Sequence, residues 1–173
     1  MSWCSTSPST VTPAGMRPGQ RITKYCDERQ LSLHDRLQLF IPVCQAVQHA
    51  HQKGIIHRDI KPSNILVAQY DDQPVPKVID FGIAKAVHQP LTEQSLHTHA
   101  TQIVGTPLYM SPEQAHGCIE QIDERTDVYG LGAILFEIIT QRQPRRGDSA
   151  DGILAAARTV AVSTVASICP EAP

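Results

Sequence analysis

The 173-residue sequence predicts an α+β fold, mostly helical, with one short β-hairpin. Three observations carry that expectation. Leu33, Leu37, Phe40, Cys44 and Val47 recur at the spacing of one helix face. The run Val128 to Ile139 is apolar on nearly every face, the pattern of a helix buried all round. Two short apolar runs, Ile65 to Ala68 and Lys77 to Ile79, flank Asp71, Asp72, Pro74 and Pro76, which suits a hairpin with a long turn.

Taken in chain order, residues 1–20 hold Pro8, Pro13, Pro18 and two glycines, and are expected to be an unstructured leader. The first helix runs from Leu33 to Lys53. Ser32 caps it, with Asp35 three residues on, and Gly54 ends it in a left-handed turn. Pro42 inside it removes a ladder bond at a cost of about 3 kcal/mol, so a kink is expected there. Ile55 to Asn64 reads as a short strand followed by a loop. Ile83 to Pro107 is polar and too long for an idle connection. From Pro144 the character shifts to Arg145, Arg146, Gly147 and Asp148, followed by an Ala/Val-rich tail.

Composition narrows the function classes. Lys plus Arg total 15 against 17 Asp plus Glu, a net charge of −2, which gives no case for a nucleic-acid partner. The 41% hydrophobic and 18% charged content suits a globular core rather than a disordered chain. The cysteines Cys4, Cys26, Cys44, Cys118 and Cys169 are odd in number, with no C-x-x-C pair, so reduced thiols in a cytoplasmic protein are expected. Gly152 to Ile168 is apolar but contains Arg158 and is shorter than the roughly 20 residues a spanning helix needs, so no membrane role is expected.

The chemistry is concentrated in three segments. They are His57-Arg58-Asp59-Ile60-Lys61-Pro62-Ser63-Asn64, then Asp80-Phe81-Gly82, then Gly105-Thr106-Pro107-Leu108-Tyr109-Met110-Ser111-Pro112-Glu113. Any one of them is weak; their order and spacing together are specific. They resemble the catalytic loop, the D-F-G metal motif and the A-P-E region of eukaryotic-like, bacterial-type serine/threonine protein kinases. The resemblance implies a protein-kinase-like fold, here the mostly helical C-lobe with its short hairpin, and transfer of the ATP γ-phosphoryl group to a protein Ser/Thr hydroxyl.

By that resemblance, Asp59 accepts the proton of the substrate hydroxyl and Lys61 reaches the transferring phosphate as a point charge. Asn64 and Asp80 offer hard oxygen donors to Mg²⁺. Lys61-Pro62 looks like the serine/threonine form of the loop, and Thr106 sits where such kinases bridge the catalytic Asp and Lys. Arg58 implies control by phosphorylation of the long loop, with Thr92, Ser95, Thr98 and Thr101 as open candidates. His97 and His99 lack further ligands at metal spacing and read as solvated. By the resemblance Asp127 anchors the amides of the catalytic loop; it can also cap its helix, and both roles can hold together. Leu66 either lies under the adenine ring or is a strand-core residue. His57, Phe81, Gly82 and Glu113 complete the matched positions.

The resemblance covers residues 21–144, with Ile22 to Asp27 as a short helix; residues 1–20 and 145–173 stay unassigned. No glycine-rich loop or V-A-I-K lysine stands upstream, so the N-lobe is absent from the pattern. Downstream, no arginine is placed to pair with Glu113, since Arg145 and Arg146 come too early. The expectations are a marginally folded chain of little activity by itself, and boundaries suggestive of a frameshift or a decaying copy. A non-catalytic interaction fragment or an inactive remnant is the alternative. Substrate identity and oligomeric state are not legible.

Overall fold

The computed structural model describes residues 17–81, 107–147, 149–159 and 164–170. Strand β1 (Arg17–Arg21) leads into α1 (Ile22–Glu28) and then the long α2 (Leu33–His51). An irregular loop and a 3₁₀ turn (Pro62–Asn64) reach the hairpin β2 (Ile65–Tyr70) and β3 (Gln73–Val78). After the segment 82–106 come α3 (Pro112–Ala115), α4 (Glu124–Thr140), α5 (Ala150–Arg158) and α6 (Val165–Ile168).

The strands form one antiparallel sheet in the order β1-β2-β3. The hairpin is therefore joined by a third strand, contributed by the end of the segment expected to be a leader. Its turn is also shorter than expected. Asp71 and Asp72 both stand at positive φ, 46° and 60°, making a two-residue turn whose twist matches the strands. Pro74 and Pro76 lie inside β3 rather than in the turn. The register pairs them with Gln69 and Val67, alternating with the hydrogen-bonded pairs, so neither removes a ladder donor from this edge strand. No strand forms at Ile55, and the chain stays irregular up to Lys61.

Helix α2 begins as expected, with the Ser32 hydroxyl accepting from the Asp35 N–H at 3.2 Å. It continues past Pro42, whose ring lies on the exposed side. The buried face is Arg36, Leu39, Phe40, Val43, Val47 and Ala50, one step round from the predicted stripe. Arg36 explains the rotation. Its guanidinium, 4% exposed, pairs with Asp27 at 2.7 Å and donates to the carbonyls of Cys26, Leu31 and Ile138. Four acceptors offset the cost of burying the charge and join α2 to α1 and to the end of α4.

The core unites Ile22, Tyr25 and Cys26 of α1, Phe40, Val43 and Val47 of α2, Ile60, Ile65 and Val67, and Ile134 and Ile138 of α4. Burial pushes the Cys26 thiol up to about 11, so it serves as packing rather than as a nucleophile. Cys26, Cys44, Cys118 and Cys169 are unpaired. Helix α4 is not buried all round. Its inner face is Thr126, Asp127, Gly130, Ala133, Ile134, Phe136 and Ile138, while Val128 is 59% exposed and Gly132 faces open space. At Gly130 the helix comes so close to the loop that a Cβ would stand 2.9 Å from the Ile60 Cβ. Among the described residues no helix is long and apolar enough to cross a membrane.

Candidate active site

The irregular loop from His57 to Asn64 is held from below by α4. Asp127, 1% exposed, receives the His57 N–H on Oδ2 at 2.8 Å and the Arg58 N–H on Oδ1 at 2.7 Å. His51, from the last turn of α2, adds its Nε2 to Oδ2 at 2.7 Å. The N-cap of α4 is Asp123, which accepts from the Arg125 N–H, so Asp127 holds the loop amides without capping the helix. The grip has a clear purpose: Arg58 sits at φ +66°, a conformation that costs a non-glycine residue about 1–2 kcal/mol.

His57 is fully buried and spans the loop. Its Nε2 meets the Ile79 carbonyl at 2.9 Å, which requires the ring proton there and leaves Nδ1 to accept from the Asp59 N–H at 3.3 Å. The Phe81 ring lies 4.8 Å from the His57 ring, tilted by 51°. Histidine and phenylalanine thus tie the start of the loop His57–Asn64 to the segment bearing Asp80.

Three of the expected site residues converge. Lys61 Nζ donates to Asp59 Oδ2 at 2.8 Å. Asn64, 5% exposed, donates Nδ2 to the Asp59 carbonyl at 2.8 Å. With its nitrogen committed, Asn64 keeps Oδ1 as its acceptor end, which takes a long bond from the Ser63 hydroxyl at 3.4 Å. The Ile79 N–H bonds the Asn64 carbonyl at 2.9 Å, which brings Asp80 beside Asn64 at the open end of the hairpin. Asp80 is exposed and stands at φ +56°. Two oxygen donors from adjacent strand ends fit a hard divalent cation whose remaining ligands are phosphate and water. No group of three or more His, Cys, Asp or Glu side chains fit to hold a metal occurs among the described residues.

The other expected positions divide. Leu66 is half-buried on β2, covered by Gly19 of β1, where a Cβ would come within 2.9 Å. Glu113 does find a partner: Thr126 Oγ1 donates to it at 2.6 Å. Burial works against the Glu113 carboxylate, but bonds from Thr126, its own backbone and Ser111 outweigh it and hold the group below its ordinary value. Gly82, Thr106 and the loop residues Thr92, Ser95, His97, Thr98, His99 and Thr101 lie outside the described residues.

Sequence reasoning missed several residues that shape this site. The Tyr109 hydroxyl donates to Glu137 of α4, and burial pushes both groups' pKa values up. Arg145, only 6% exposed, donates to the carbonyls of Pro107 (3.0 Å), Leu108 (3.2 Å) and Met110 (2.8 Å) and also bonds the Tyr129 hydroxyl. Arg158 of α5 reaches the Ala115 carbonyl at 3.0 Å. Arg145 and Arg158, in the stretch left unassigned from the sequence, thus hold the segment 107–115. No periodicity or motif marks these arginines. Gln114 did carry a signal, the S-x-x-Q pattern of a capping box from Ser111.

The sequence profile of the protein kinase domain matches residues 14–170, further at both ends than the motifs alone suggested. A probable serine/threonine-protein kinase PknB of Bifidobacterium longum is 45% identical over 123 residues, 71% of this chain and 17% of that protein. The serine/threonine-protein kinase PknB of Mycobacterium tuberculosis is 37% identical over 148 residues, 80% of this chain and 22% of that protein. The chain thus spans about a fifth of the length of the curated relatives it matches. Through the profile match, the chain belongs to the protein kinase domain family.

Proposed function

We propose that the chain is the larger, C-terminal lobe of a serine/threonine protein kinase, which transfers the γ-phosphoryl group of ATP to a protein Ser/Thr hydroxyl with Mg²⁺. The observation that carries this is the state of Asp59. Lys61 occupies its Oδ2, while Oδ1 has no hydrogen-bond partner among the described residues and is open to receive a proton.

In the reaction the substrate hydroxyl gives its proton to Asp59 as its oxygen bonds to the γ-phosphorus. The bond from that phosphorus to the β–γ bridging oxygen breaks, and ADP leaves with the electron pair. Lys61, half-buried and already at the carboxylate, supplies positive charge where the phosphoryl group passes. Mg²⁺, when bound, neutralises charge on the phosphates; Asn64 and Asp80 are the residues to hold it. The bonds from Asp127 and His57 keep the loop in place beforehand, so little reorganisation is left for the reaction. Thr106 completes the reading as the hydroxyl between Asp59 and Lys61, and Leu66 as the apolar floor under adenine. A cytoplasmic setting, protein substrates and no nucleic-acid partner go with it.

Two measurements on the purified 173-residue chain test the proposal. Calorimetry with Mg·ATP is expected to show binding that Asp80→Asn weakens. Phosphoryl transfer from labelled ATP to a Ser/Thr protein substrate, if observed, is expected to drop by about 10²–10⁴ in Asp59→Asn. Mg·ATP binding indifferent to Asp80, or transfer indifferent to Asp59, rejects the assignment.

A further inference from the structure

Gln114 belongs to none of the catalytic segments, yet its side chain joins two of them. Its Oε1 accepts from the N–H of Ser111 at 3.1 Å and from the Ser111 hydroxyl at 3.2 Å, closing the N-terminus of α3. Its Nε2 donates to the carbonyl of Arg58 at 2.7 Å, a residue 56 positions away. Ser111 is fully buried, so the near end of this link is rigid. At the far end stands the left-handed Arg58, whose N–H is held by Asp127 and whose C=O is held by Gln114. Both sides of the residue preceding Asp59 are thereby fixed. A small pocket between the two segments is lined by Arg58, Asp59, Lys61, Tyr109, Met110 and Gln114.

We propose that Gln114 is a positioning residue that couples the orientation of Asp59 to the segment Pro107–Ser111, which follows Thr106. The inference rests on the kinase function proposed above for the role of Asp59, but the coupling itself is a property of the fold. A carboxamide suits this task because it offers an acceptor to Ser111 and a donor to Arg58 at once. A glutamate of the same shape keeps the capping acceptor and strengthens it at a helix N-terminus, but sets an oxygen against the Arg58 carbonyl. A methionine of similar length loses both contacts. The two substitutions therefore separate capping from coupling.

The test is amide hydrogen exchange by mass spectrometry on the full chain, read beside the melting temperature. In Gln114→Glu the peptide covering residues 57–60 is expected to exchange about tenfold faster, because freeing the Arg58 carbonyl eases local opening of the N–H bonds to Asp127 and His57, with the melting temperature unchanged or raised. In Gln114→Met both protection and melting temperature are expected to fall. Exchange of residues 57–60 within about twofold of the parent chain in Gln114→Glu overturns the proposal. So does a Gln114→Glu chain that unfolds or melts as early as Gln114→Met, since the contact is then only structural. Where the parent chain transfers phosphate, Gln114→Glu is expected to lower kcat with the KM for ATP unchanged. Mg·ATP binding indifferent to Asp80, or transfer indifferent to Asp59, refutes the kinase assignment, while the exchange result still decides the coupling.

Discussion

Replacing Asp127 by asparagine tests how the catalytic loop is held. The carboxylate accepts three hydrogen bonds, from His57 N, Arg58 N and His51 Nε2, at 2.7–2.8 Å in a site 1% exposed. An asparagine keeps one oxygen and gains an NH₂. With the NH₂ in the place of Oδ1, it faces the Arg58 N–H; in the place of Oδ2, it faces the His57 N–H. Either way one buried backbone donor loses its acceptor, and the bond lost is one to a charged group, worth about 1.5–3 kcal/mol. The stranded donor adds desolvation cost, so the expected loss is about 3 kcal/mol, close to a hundredfold in the folding constant. Set against a total stability of about 5–15 kcal/mol for a domain, that is a large fraction. Urea unfolding followed by far-ultraviolet circular dichroism reads it directly, as a fall in midpoint at constant slope. Val128→Ala is the control, next in sequence but 59% exposed, and is expected to stay within about 0.5 kcal/mol. An Asp127→Asn chain within about 1 kcal/mol of the parent refutes the view that this carboxylate holds the loop.

Three further outcomes follow from the same packing. Arg145→Met leaves the carbonyls of Pro107, Leu108 and Met110 without their donor and is expected to cost about 2–4 kcal/mol by urea unfolding. Lysine at 145 is expected to recover little of it, because its point charge lacks the planar fork. Gly130→Ala places a Cβ 2.9 Å from the Ile60 Cβ and 3.0 Å from the Ile60 carbonyl oxygen, so a net loss of about 1–3 kcal/mol is expected despite the better helix propensity of alanine; a gain in melting temperature refutes the close approach. Glu113 titrates below its unfolded value, so its contribution to stability is present above about pH 4.5 and is lost as pH falls through the folded pKa. The stability difference between the parent chain and Glu113→Gln is therefore expected to shrink on acidification below pH 4.5, and a difference that is flat with pH contradicts the bonding seen at Thr126.

Some features of this protein were determined by the sequence alone, because the chemistry that marks them is local. The candidates Asp59, Lys61, Asn64 and Asp80 come from the resemblance of contiguous motif segments to protein kinases, and contiguous segments can be read without the fold. The cap at Ser32, the turn at Gly54 and the helical period of α2 are legible for the same reason. The tertiary structure alone decided what depends on partners far along the chain. Arg36 is polar by composition and buried by circumstance, because carbonyls from α1, the α1–α2 connection and α4 meet around it. The hairpin turn was misplaced because two prolines look like turn residues until the register sets them at non-bonded positions of an edge strand. The end of the expected leader, from Arg17, became a strand because β2 offered it an open edge, and an edge in need of a partner leaves no mark on the sequence that fills it. Arg145 and Arg158 are silent for a like reason. Their acceptors are backbone carbonyls of the segment 107–115, which every residue type provides, so only the fold determines which of them an arginine meets.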